Sequence, residues 1–185
     1  MRFILIFLVS FSANAELEVI EKTSNYPVIA DSITDLKAAL DTASPAKIDD
    51  DVVHASTTYD IDFQFRFNSR SRVCEVNKVT TTLGLQYTLP KLDSQNDEVK
   101  KVWSNWFPRL AQYQHQKGEL VKAAARSLDD QLTNLPEVGK CQKLKNQAEE
   151  LAAKTKNELA TQLRLLDQKT DFGRTEHAWL KDHLQ

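Results

Sequence analysis

Glycine is scarce in this chain, with 4 among 185 residues, and there are only 2 cysteines. So few glycines leave no phosphate-cradling loop and no Gly-x-Ser-x-Gly elbow, which sets aside P-loop nucleotide chemistry and the common serine-hydrolase arrangement. No cysteine stands beside a convincing histidine partner for thiol catalysis. An excess of positive charge is also missing: 24 Lys and Arg face 26 Asp and Glu, the formal net charge is −2, and the basic residues are scattered. A nucleic-acid partner is therefore not expected. Long apolar runs are absent beyond the N-terminus, and the run there, Phe3 to Val9, falls far short of the roughly 20 residues that a membrane helix needs.

What stands at the N-terminus has the three parts of a secretory signal. Met1-Arg2 supplies the charge, Phe3 to Val9 the apolar core, and Ala13-Asn14-Ala15 the small-residue cleavage pattern. The expectation is a signal peptide over residues 1–15, a mature single domain over 16–185, and an exported protein, periplasmic or secreted, with no membrane span after cleavage. In an oxidising compartment the even pair Cys74 and Cys141 reads as a disulfide.

Hydrophobic periodicity then orders the chain. Tyr26 to Ala30 reads as a short strand, held to an edge position by Pro27, which cannot donate a ladder hydrogen bond. Ser32 with Asp35 marks the start of a short helix whose apolar face is Leu36, Ala39 and Leu40. Tyr59, Ile61, Phe63, Phe65 and Phe67 alternate with polar residues, the period of a strand with one buried face. Asn68 to Ser71 reads as a turn. Val79, Thr81, Leu83, Leu85, Tyr87 and Leu89 continue the alternation on a second strand that Pro90 should end. Two helical stretches follow, about Asp97–Leu132, which Pro108 should kink or divide, and Cys141 to about Gln168. The expected fold is α+β: a small antiparallel sheet, made of a long hairpin plus an edge strand, packed with two long C-terminal helices and one short N-terminal helix.

The stretch most suggestive of chemistry is Tyr113-Gln114-His115-Gln116-Lys117-Gly118-Glu119. Zinc peptidases set His-Glu-x-x-His on a helix because residues four apart share a face, so that two imidazoles reach one metal and the Glu lies beside its water. Here His115 keeps the first position, Gln116 stands at the base position and Glu119 at the second ligand position.

With Tyr26-Pro27-Val28, the aromatic strand, Cys74, Thr88-Leu89-Pro90, the tryptophans ahead of the helix, Cys141 and Thr170-Asp171-Phe172-Gly173-Arg174-Thr175, the chain resembles a family of bacterial secreted proteins known as predicted zinc-dependent proteases. That resemblance implies a zinc site of pattern His-Glu-x-Gly-His, completed by a His in a closing Thr-x-His-Gly segment. His115 and Gly118 match it; Gln116, Glu119 and Phe172 do not. A catalytic zinc keeps three protein ligands and an activated water. Phe172 cannot ligate, and the amide of Gln116 cannot take a proton as a carboxylate does. The expectation is a protein that is not an enzyme and holds no cofactor, using the inherited cleft to bind a peptide or an envelope protein. The alternative is an active metallopeptidase with a rebuilt zinc site of His115, Glu119 and His177. Outside such a site, His115 reads as a partly buried, hydrogen-bonded histidine, and His54 and His183 read as solvated.

Overall fold

In a computed structural model, residues 14–48, 51–70 and 73–184 are described; most of the expected signal peptide lies outside them. Strand β1 (Asn14–Ile29) leads to helix α1 (Ile33–Ala43), a two-residue-per-strand hairpin of β2 (Lys47–Ile48) and β3 (Asp51–Val52), and the long strands β4 (Ser56–Arg70) and β5 (Val73–Asp93). Helices α2 (Asp97–Thr133) and α3 (Cys141–Thr170) follow, then two short 3-10 turns over 174–176 and 180–183.

The α+β class and the long β4–β5 hairpin are as expected, but the sheet is mixed. Its order is β1-β5-β4, with β4 antiparallel to β5 and β1 parallel to β5. Parallel neighbours require a crossover: the chain passes from β1 through α1 and the β2–β3 hairpin to the start of β4, and β4 carries it back to the end where β5 begins. β1 lies at an edge as Pro27 demands, yet it begins twelve residues before Tyr26, at Asn14.

The residues expected as the inner parity of β5, Val79, Thr81, Leu83, Leu85, Tyr87 and Leu89, are all buried. β5 does not stop at Pro90; it continues to Asp93. The β4 ladder ends where Ser56 faces Thr88, so at Pro90 the strand has one neighbour only, and a missing N–H costs little on an unpaired side. β4 likewise runs on through Asn68–Arg70, residues expected in a turn.

α2 passes through Pro108 unbroken. Pro108 and Ser104 lie on the exposed side of the helix, where water can take up the carbonyl that loses its partner. Ser32 caps α1 as expected, its Oγ accepting from the Asp35 amide at 3.2 Å. Cys74 and Cys141 form a disulfide that ties the start of β5 to the start of α3.

His54 corrects the expectation of a solvated loop histidine. It lies between β3 and β4 with its side chain only 19% exposed, its Nε2 2.8 Å from Asp41 Oδ1 and its ring edge-on to Trp106 at 6.0 Å. Burial opposes ionisation of Asp41, but the bonds to His54 and to Lys37 outweigh it and hold the carboxyl below its ordinary 3.8. A folded value below the unfolded one means the contribution is present above about pH 4 and is lost as pH falls through the folded value. Asp41→Asn is therefore expected to lower stability at neutral pH, with the gap from the parent closing as pH falls from about 4 through the lowered folded value. Urea midpoints measured across that range check this; a gap of equal size at both ends would remove the ion pair as its source.

Candidate functional site

Successive residues of an α-helix are turned by about 100°, so His115 and Glu119 project from one flank of α2 and Trp106, Tyr113 and Lys117 from roughly the opposite one. The two flanks meet different parts of the fold.

On the first flank, the ring of His115 is exposed and lies against Tyr87 of β5, with centroids 4.5 Å apart. It makes no hydrogen bond among the described residues, so the partly buried, hydrogen-bonded histidine of the sequence reading is not what the fold holds. Gly118 is buried, and a Cβ there would overlap the Tyr87 hydroxyl and lie 2.8 Å from its Cζ. The glycine is thus required by a close approach of helix to sheet. Tyr87 is fully buried and its hydroxyl has no hydrogen-bond partner. Burial raises its phenol above the ordinary value, and the nearby charge of Glu21 adds to this.

Glu119 is exposed, and its Oε1 accepts from Lys122 Nζ at 3.0 Å. Lys122 also reaches Glu21 of β1 at 2.6 Å, and these two bonds, Glu21 first, hold its ammonium above the usual lysine value. The sequence marks Tyr87 only as an inward-facing strand residue, and it does not mark Glu21 or Lys122 as part of a site. Lys122 was findable as the residue one turn beyond Glu119; the other two come from strands whose register no local pattern reveals.

On the second flank the closing segment docks. Tyr113 donates to Asp167 Oδ1, and Lys117 Nζ lies 2.7 Å from the same atom and 4.9 Å over the Tyr113 ring. Burial and then the bond to Asp167 raise the Tyr113 phenol well above its ordinary value. Trp106 is fully buried and its Nε1 donates to the Ala178 carbonyl at 2.9 Å. Asp171, Phe172 and Gly173 take left-handed backbone angles in succession, with φ of 49°, 53° and 88°. Thr170 Oγ1 closes this turn, accepting from the Gly173 amide at 3.1 Å. A Cβ on Gly173 would meet Tyr113 Cδ1 at 2.9 Å, so this glycine is demanded by both its backbone angle and its contact.

Phe172 points outward and is 61% exposed. His177 is exposed too, with φ of 57°, and its carbonyl lies 2.9 Å from His183 Nε2. The fold therefore keeps His115 and Glu119 on one flank of α2 while the closing segment, with Phe172 and His177, folds against Tyr113 and Trp106 on the other. Among the described residues no three His, Cys, Asp or Glu side chains converge as a metal-binding set, and His115, Glu119 and His177 do not meet the three-ligand requirement of a catalytic zinc in this arrangement.

Residues 23–173 match a family described as bacterial protein of unknown function (DUF922). The chain belongs to this family. The matched span runs from within β1 to Gly173 and takes in both flanks of α2. No curated protein and no solved structure matches the chain.

Proposed function

We propose that this member of the family is an exported, non-catalytic binding protein, a zinc-protease-like scaffold that takes up an extended peptide or a segment of an envelope protein along the free edge of β1. The observation that carries the reading is Lys122. Its ammonium bridges Glu119 and Glu21, a positive charge set against the carboxylate that would have to receive a divalent cation. Gln116 at the base position and the outward Phe172 point the same way. β1 borders this flank through Glu21, and among the described residues its outer edge pairs with no other strand. An edge of unpaired backbone groups beside a helix flank carrying an imidazole and mixed charges suits an extended chain, which binds by adding a strand.

Export rests on the N-terminal signal pattern and is consistent with the disulfide, a bond that persists in oxidising compartments. No helix among the described residues is long and apolar enough to cross a membrane.

Zinc titration of the purified mature protein, beside His115→Ala, tests the reading. The expected result is no stoichiometric zinc in either protein. Zinc bound one to one by the parent and lost in His115→Ala would overturn it, and would restore the alternative of a metallopeptidase rebuilt around His115, Glu119 and His177.

A further inference from the structure

The opposite edge of the sheet is β4, fifteen residues long, Ser56–Arg70. Edge strands are commonly protected from association by proline, by charged side chains, lysine above all, or by a bulge of their own; the charges of β4 are of both signs, Asp60 and Asp62 with Arg66, and so can pair between copies rather than only repel. β4 contains no proline, lysine or glycine. The one irregularity in its ladder lies between Arg66 and Phe67, where the partners jump from Lys78 to Val76, so the extra residue, Asn77, is on β5 and the chain of β4 stays regular. No strand other than β5 pairs with it among the described residues.

Its side chains are arranged in a second, informative way. The residues facing the helices form a row, Phe63 on Phe65 at 6.1 Å and Phe65 on Phe67 at 6.0 Å. Phe63 and Phe65 are only part buried, and Tyr59 and Phe67 are 37% and 46% exposed. The helical layer therefore stops short of this edge. Asp60, Asp62, Gln64 and Arg66, on the other face, are all exposed.

We infer that the free edge of β4 receives a second copy of this chain, joined antiparallel about a twofold axis at Phe63, so that two three-stranded sheets become one of six. An isologous contact of this kind demands self-complementarity, and β4 has it about that residue. Counting outward from Phe63, Asp62 meets Gln64, Ile61 meets Phe65, Asp60 meets Arg66 and Tyr59 meets Phe67, each pair occurring twice. Opposite charges fall on one face and apolar pairs on the other, the cross-strand combinations that stabilise a ladder. Other registers that keep both helical layers on one side are worse. Centring on Ile61 sets Asp60 against Asp62 twice, centring on Asp62 sets that carboxylate against its own copy, centring on Gln64 pairs Asp62 with Arg66 but leaves Tyr59 facing Ser69, and centring on Phe65 leaves Tyr59 facing residue 71, beyond the strand. The dimer leaves β1, at the far side of the sheet, open.

The test is a charge exchange read as mass in solution, by light scattering on the mature protein at about 100 µM, where a Kd near 1 µM leaves nearly all chains paired. The parent is expected to run as a dimer. Asp60→Arg and Arg66→Asp, each placing like charges opposite one another, are expected to shift it to monomer, and the double variant Asp60→Arg/Arg66→Asp to restore the dimer. Both side chains are exposed, so melting temperatures close to the parent's identify the shift as loss of association rather than of fold. A monomeric parent overturns the inference, as does a dimer that survives the single variants or is not restored in the double.

Discussion

Joint replacement of Cys74 and Cys141 by serine is expected to cost about 4 kcal/mol, the loop-closure value for a bridge between residues 67 apart in sequence. At the usual sensitivity of a chain this size that is a fall of roughly 8–16 °C in melting temperature. The bond does more than close a loop. Cys74 and Val138 exchange backbone hydrogen bonds of 2.6 and 2.9 Å beside it, so the bridge also holds the segment between α2 and α3 against the end of the hairpin. α3 packs on α2 with a polar exterior, and Cys141 opens it without a side-chain cap; losing the bridge is expected to loosen this end of α3 first. Calorimetry of the oxidised parent and the double serine variant checks the magnitude, and hydrogen exchange locates the loss. Equal melting temperatures under oxidising conditions would contradict the assignment of the bridge as a principal constraint.

The second large effect belongs to Gly118. Alanine would ordinarily favour a helix interior by about 1 kcal/mol. Here the added methyl collides with a tyrosine that is fully buried and confined between β5 and the His115 ring. A net loss of about 1–3 kcal/mol is expected for Gly118→Ala, the range for overpacking a site that cannot yield. Tyr87→Phe is expected to change stability little, or to raise it by about 1 kcal/mol, because the hydroxyl it deletes is buried without a partner. In the Tyr87→Phe background the alanine should cost less, since the nearest obstructing atom is gone while the ring remains. Denaturant unfolding of the four proteins of this cycle measures the coupling. An alanine penalty of the same size in both backgrounds would show that the collision is not with the hydroxyl.

These two constraints differ in how far the sequence discloses them. The cysteine pair is legible, because an even count in a chain whose N-terminus reads as an export signal has a strong chemical expectation. So is the β4–β5 hairpin: its two strands alternate with period two, and the inner parity of β5 is buried as the alternation requires. β1 is legible only in its last quarter. Glu16, Glu18, Glu21 and Lys22, with Ile20 breaking the alternation, hide a strand that exists because β5 offers it a parallel partner. Parallel pairing is invisible to any local pattern, and so is the tolerance of Pro90, which depends on where β4 ends.

At the site, His115 and Glu119 share a flank as their spacing of four requires. Nothing in the spacing says that Phe172 and His177 would dock on the other flank. That follows from Gly173 seating on Tyr113 and from Ala178 accepting a bond from Trp106, contacts between residues some sixty or seventy positions apart. The burial of His54 is hidden from the sequence for the same reason, since it depends on Asp41 of α1 and on Trp106 rather than on its polar neighbours.

The place of β1 in the sheet also bears on timing. A ribosome makes this strand first, but Leu17 pairs with Thr81 and Pro27 with Lys91, residues about sixty positions later. At synthesis rates of about 5–20 residues per second, β1 waits roughly 3–13 s with both of its edges bare. Cys74 has a comparable wait for Cys141. The two waits overlap only briefly, because β5 is made directly after Cys74; the strand meets its partner first, and the last covalent act of folding is tied to the arrival of Cys141 at the start of α3.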